Sequence, residues 1–235
     1  MLNGILMNTV GPFVIWKSQK LPAIVGFEKI DDALFLRERS EEFVAYAESL
    51  ESLGFELIGS STLRDTESDT FFRLYCNPNS EVVASCVCGK NALGEVNYIE
   101  FSQKYSDGSI LDVSNNPVPG VFPKLEIKDS YRYPAVSCVN ELMDIFNKLK
   151  NGLKTSLTPR AYDVEGGFSD IEALMKQESD ELVKKGFVTS NIDDQGKRSL
   201  TLYGAAFLTY RAVSPGKDIW GYITERSAKK TLSSV

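Results

Sequence analysis

Between Asp69 and Ser114 apolar and polar side chains alternate with a period of two, and only turn residues separate the runs. The spacing predicts strands over 70–76, 81–88, 95–105 and 109–114, preceded by an extended stretch over 56–63. The connections are Asn77-Pro78-Asn79-Ser80, a loop from Gly89 to Gly94, and Asp107-Gly108. Asp-Gly suits a two-residue type I′ hairpin turn. Parallel neighbours need crossovers of roughly a dozen residues, so these short connections predict an antiparallel meander. Within 95–105, Asn97, Ile99, Phe101, Gln103 and Tyr105 share one face. The opposite face turns polar, as in a sheet covered mainly on one side.

Helical periodicity flanks the strands. Over 40–53, Ser40 is placed to cap, Phe43, Val44, Ala47, Leu50 and Leu53 form the apolar stripe, and Gly54 ends it. A second helix over 136–149 puts Val139, Leu142, Met143, Phe146 and Leu149 on one side. Residues 151–167, with Gly152, Pro159 and Gly166-Gly167, read as a linker. Beyond them come a helix over 169–185 with Ile171, Leu174, Met175 and Leu182 inward, short strands over 187–190 and 197–201, and a helix over 202–213. Asp218 is placed to cap one more. The expected fold is α+β: an antiparallel sheet of about five strands packed by helices, with a small C-terminal helix–hairpin–helix unit. The expected division is a sheet domain over 1–150 and a helical unit over 168–235.

Composition narrows the chemistry. Of 235 residues 26 are Lys or Arg, 32 are Asp or Glu and none is His, for a net charge of −6. An acidic chain lacks the counterion-release drive toward nucleic acid. Without imidazole, Ser-His-Asp and Cys-His catalysis, His-containing zinc sites and HExxH peptidases are excluded. Neither GxGxxG, Walker A nor EF-hand spacing occurs. No catalytic residue, metal ligand or cofactor is therefore expected. Cys76, Cys86, Cys88 and Cys138 read as free thiols packed as small apolar fillers, with Cys86 and Cys88 on one strand face.

The first sixteen residues are apolar but broken by Asn3, Gly4, Asn8, Gly11 and Pro12. They have no basic leader, no small-residue cleavage site and no spanning length, so the chain reads as cytoplasmic. Their expected role is to dock on the core. The alternative is a membrane-surface contact within residues 1–20, through Phe13, Ile15 and Trp16 beside Lys17 and Lys20.

Leu182-Val-Lys-Lys-Gly-Phe-Val, then Asp194 and Arg198, then Leu200-Thr-Leu-Tyr-Gly204, resembles the wing and following helix of winged-helix regulators of the MarR type. The resemblance spans about thirty residues and implies a DNA-binding hairpin. The preceding helix departs from it, with Asp170, Glu172, Glu178, Asp180 and Glu181 against Lys176, Lys184 and Lys185. A polyanion would meet a net negative helix there.

The other candidate site is the proline loop 114–123 with the Tyr131-Arg132-Tyr133 segment. Asn115 and Asn116 offer amides, and Arg132 beside Tyr133 offers a guanidinium for a carboxylate or phosphate. The expectation is a non-enzymatic binding or assembly protein holding a protein partner or small ligand through the sheet and this proline loop. A peripheral membrane accessory, a histidine-free enzyme and a winged-helix-like regulator are the alternatives.

Overall fold

A computed structural model describes residues 2–37, 39–63, 69–91 and 94–235. The elements begin with α1 (Leu2–Ser18), β1 (Lys20–Pro22), β2 (Phe27–Ile30), α2 (Asp32–Arg37) and α3 (Glu41–Ser52). The strands β3 (Glu56–Leu63), β4 (Asp69–Asn77), β5 (Val82–Asn91), β6 (Gly94–Lys104), β7 (Ile110–Ser114) and β8 (Lys128–Arg132) follow. The chain ends with α4 (Val139–Leu153), α5 (Ser169–Lys184), β9 (Lys197–Ser199), α6 (Leu202–Ala212) and α7 (Gly216–Ser234). Residues 92 and 93 of the expected Gly89–Gly94 loop lie outside the described residues.

The fold is α+β, with a mostly antiparallel seven-stranded sheet ordered β2-β3-β4-β5-β6-β7-β8 and a two-stranded sheet β1-β9. The five expected strands are β3 to β7, and they pair antiparallel as a meander. The edge strands β2 and β8 extend it. Each is only four or five residues long, too short for a period to show in sequence. The β7–β8 pair is parallel, which the proline segment permits by acting as the crossover. The Asp107-Gly108 turn also differs from expectation. The Gly108 amide donates to the Tyr105 carbonyl (2.9 Å), Asp107 Oδ1 accepts from the Ser109 amide (2.9 Å), and Gly108 takes φ +83°. The turn closes one residue earlier than a type I′ loop, with glycine in the left-handed position that follows.

Helices α3 and α4 share the inner face of the sheet. Ser40 Oγ accepts from the Phe43 amide (3.4 Å) to start α3. Phe43, Tyr46, Ala47 and Leu50 are its buried residues, while Val44 is half-buried. Helix α4 buries Val139, Leu142, Phe146 and Leu149. Phe101 on β6 joins these layers, with ring centroids 5.7 Å from Phe55 and 6.0 Å from Phe146. Ile99, Gln103 and Tyr105 are buried on the same face, as their spacing predicts.

Close contacts group the chain into two units that are discontinuous in sequence. One comprises residues 1–26, 119–125 and 169–223; the other comprises 27–118, 126–168 and 224–235. The first is called the hairpin unit below and the second the sheet unit. Two differences from the expected division stand out. Residues 1–26 group with the C-terminal helices, and segment 151–167 belongs to the sheet unit. The Arg160 amide donates to the Lys104 carbonyl (2.8 Å), Pro159 bridges Tyr105, and Phe168 stacks on Phe27 at 4.8 Å. Glycine and proline here shape a mostly exposed segment pinned to the sheet unit by these contacts.

In the hairpin unit the N-terminal stretch is a helix, despite its Gly and Pro. Gly11 is buried, and a Cβ there would lie 3.1 Å from the Thr209 methyl of α6. Close helix packing thus outweighs the poor intrinsic propensity. Strand β1 pairs antiparallel with β9, and Val188 bridges Leu200 on the other arm of the hairpin. Asp193 Oδ1 closes the turn by accepting from the Gln195 (3.0 Å) and Lys197 (2.9 Å) amides. Arg198 is buried and ties the hairpin to α5, donating to the Ser179 carbonyl (3.0 Å) and Asp180 (2.7 Å). The expected inward residues of α5, Ile171, Leu174, Met175 and Leu182, are only half-buried.

Candidate functional site

Asn115, Asn116, Arg132 and Tyr133 do come together, at the end of the β7–β8 ladder where Ser114 and Arg132 are partners. Their polar atoms engage one another and the backbone. Asn115 is buried: Oδ1 accepts from the Ile99 amide (2.7 Å), while Nδ2 donates to the Val136 carbonyl (3.1 Å) and Tyr46 Oη (3.3 Å). Asn116 Oδ1 accepts from the Val118 amide (2.9 Å). Arg132 Nη1 donates to the carbonyls of Asn116 (3.0 Å) and Pro117 (3.2 Å). Tyr133 Oη donates to the Ala228 carbonyl (3.0 Å), and burial pushes its phenol up to about 12. Together they form a clasp that fixes the start of the proline loop to β8. A ligand would have to compete with these internal bonds.

Three thiols behave as the strand pattern predicts. Cys86 and Cys88 lie on the core face of β5 and Cys76 on β4, all buried, and burial pushes each thiol up. A raised thiol is a poor nucleophile and metal ligand, since the thiolate does that chemistry. Cys138 departs from the expectation: it is exposed at the N-cap of α4. Among the described residues no three His, Cys, Asp or Glu side chains converge as a metal-holding group.

The exposed large apolar side chains concentrate in the hairpin unit. On α1, Gly11 and Ile15 turn inward while Val10, Phe13 and Val14 are about half exposed. Tyr203 and Tyr210 project from α6, and Ile219, Tyr222 and Ile223 lie at i, i+3 and i+4 on α7. The sheet unit exposes Val118, Leu153 and Val164 among the described residues.

Beneath Tyr203 and Tyr210 lies an aromatic cluster that is built from local geometry. Thr201 caps α6 by accepting from the Gly204 amide (2.9 Å). Gly204 lets the helix approach the hairpin so closely that a Cβ would meet the Phe187 carbonyl oxygen at 1.9 Å. Spacing by four then aligns Tyr203, Phe207 and Arg211 on one helix face. Phe187 stacks on Tyr203 at 5.1 Å and packs on Phe207 at 4.8 Å. The Arg211 guanidinium is sandwiched, 4.1 Å from the Phe207 ring centroid and 3.4 Å from that of Trp220. Trp220 Nε1 donates to the Gly120 carbonyl (2.9 Å), fixing that ring. The signal of this cluster in the sequence is the i, i+4, i+8 spacing of Tyr203, Phe207 and Arg211.

Comparison of the chain with protein-family models, curated proteins and solved structures returned no match.

Proposed function

We propose that this chain is a non-enzymatic binding or assembly protein whose contact surface is the exposed apolar and aromatic side of the hairpin unit. The observation that carries the reading is the concentration of exposed Val, Ile, Phe, Tyr and Trp side chains on α1, α6 and α7. Apolar surface left in water is unfavourable by about 25 cal/mol per Å², and contiguous patches of it mark interaction sites. Tyr, Trp and Arg are also the residue types that dominate binding energy in protein interfaces. The missing imidazole and the raised, buried thiols support a role by contact instead of turnover.

The acids of α5 weigh against a DNA-reading role. Asp170, Glu172, Glu178, Asp180 and Glu181 populate α5, and Asp193 and Asp194 occupy the hairpin turn. Phosphate would be repelled at α5, where the acids outnumber Lys176 and Lys184.

Photo-crosslinking tests the reading directly. A benzophenone side chain placed at Tyr203 or Tyr222 is expected to trap a discrete partner in cells, and the same group at Val118 or Val164 is not. Equal trapping at all four positions, or none, overturns the proposal.

A second reading has its own support in α1. The helix contains no acidic residue, and Phe13, Val14 and Trp16 are exposed beside Lys17, whose Nζ lies 4.7 Å from the Trp16 ring centroid. No helix among the described residues is long and apolar enough to cross a membrane. An interfacial contact by residues 1–20 predicts co-sedimentation with anionic vesicles that disappears in Phe13→Ser/Trp16→Ser.

A further inference from the structure

We propose that the aromatic patch around Arg211 receives an acidic peptide segment of a partner protein, one presenting a carboxylate flanked by apolar side chains. This rests on the proposed binding function of the hairpin unit and names the partner's chemistry. Three observations carry it. First, Arg211 Nη1 is buried without a hydrogen-bond partner, and no carboxylate among the described residues pairs with this guanidinium. Second, the side chain is held between Phe207 and Trp220. Stacking of this kind fixes the plane of the guanidinium and leaves its fork set for a planar, two-oxygen acceptor. Third, the surrounding surface is aromatic and accessible, with Tyr203 59% and Tyr210 53% exposed.

The contrast with Arg198 sharpens the point. That arginine is buried in the same unit and donates from Nη1 and Nη2 to the Ser179 carbonyl and Asp180, although its Nε is also buried without a partner. Arg132 of the sheet unit likewise donates to two carbonyls. Arg211 differs from both in making no side-chain hydrogen bond or ion pair among the described residues. A buried donor without a partner is unfavourable by about 1–3 kcal/mol, and a carboxylate that displaces the groups covering Nη1 removes that deficit. A short acidic segment suits this one guanidinium, because a long polyanion reaching α5 would also meet its five acids, which outnumber Lys176 and Lys184.

The full-length chain, immobilised, selects from a displayed library of random twelve-residue peptides. The expected result is enrichment of peptides carrying Asp or Glu next to Leu, Ile, Phe or Trp. Exchanging that acid for its amide in the peptide is expected to weaken binding to the unaltered protein by about tenfold or more. This arm requires no protein variant and so no assumption about folding. Arg211→Gln, and Arg211→Lys with the charge kept but the planar fork lost, are expected to weaken binding similarly. Peptides without acids that are lost on Tyr203→Ser would overturn the acidic partner and leave the binding surface standing. Failure to enrich any peptide overturns both. Binding of a single-stranded oligonucleotide that depends on Arg211 would assign the patch to nucleic acid and also overturn the proposal.

Discussion

Asn115 shows how a polar side chain serves a fold from inside. Its carboxamide satisfies the Ile99 amide and the Val136 carbonyl at the end of β7, so an apolar replacement leaves the Ile99 amide buried and unpaired and takes a partner from the part-buried Val136 carbonyl. Asn115→Leu is expected to lower stability by roughly 1–3 kcal/mol in urea unfolding. Two buried tyrosines make opposite predictions. Tyr133 Oη donates to the Ala228 carbonyl, whereas Tyr105 Oη is buried without a partner. Tyr133→Phe therefore destabilises and Tyr105→Phe stabilises, each by about 1 kcal/mol. Burial pushes both phenols from 10 up to about 12. A raised phenol contributes stability that is complete below pH 10 and is lost as pH rises toward 12. Ultraviolet titration is expected to show these two ionising late, with the sheet unit loosening over that interval.

Helix α6 depends on the close approach that Gly204 allows. A methyl group there meets the Phe187 backbone, which cannot rotate away as a side chain would. Gly204→Ala is expected to lower stability by roughly 1–3 kcal/mol or more. Tryptophan fluorescence reads this unit specifically, since both tryptophans, Trp16 and Trp220, belong to it. The hairpin is coupled to α5 through charge. Hydrogen bonds from Arg198 and then Lys176 hold the Asp180 carboxyl below its usual 3.8. A lowered carboxyl adds stability that is present above the ordinary value and lost as pH falls through the lowered one. The melting-temperature gap between the unaltered protein and Asp180→Asn is expected to close below about pH 4. A gap that stays constant down to strong acid would remove the ion pair from this account.

The molecule as a whole divides its surface unequally: the hairpin unit carries most of the exposed large apolar side chains. Phe13→Ser/Tyr203→Ser/Ile223→Ser is expected to shorten retention on a hydrophobic-interaction column clearly. Val118→Ser/Leu153→Ser/Val164→Ser is expected to change it little. The meander, α3, α4 and the core cysteines were legible in the chain because each is repetitive and local: alternation, a cap, a stripe, a glycine stop. The candidate clasp was legible only as a group of neighbouring residues, and its inward hydrogen bonds were not. Asn115 looks the same in sequence whether its amide meets a ligand or Ile99.

Local pattern thus decided which segments are strand or helix, because side-chain periodicity depends on residues only a few positions apart. Long-range packing decided the rest. It turned a Gly- and Pro-bearing N-terminus into a helix beside Thr209, drew residues 1–26 to the C-terminal elements, and laid the supposed linker along the sheet. It also tied Trp220, one of the two rings against Arg211, to the Gly120 carbonyl. Such outcomes depend on which surfaces fit together across a hundred or more residues, and no short window of sequence carries that information.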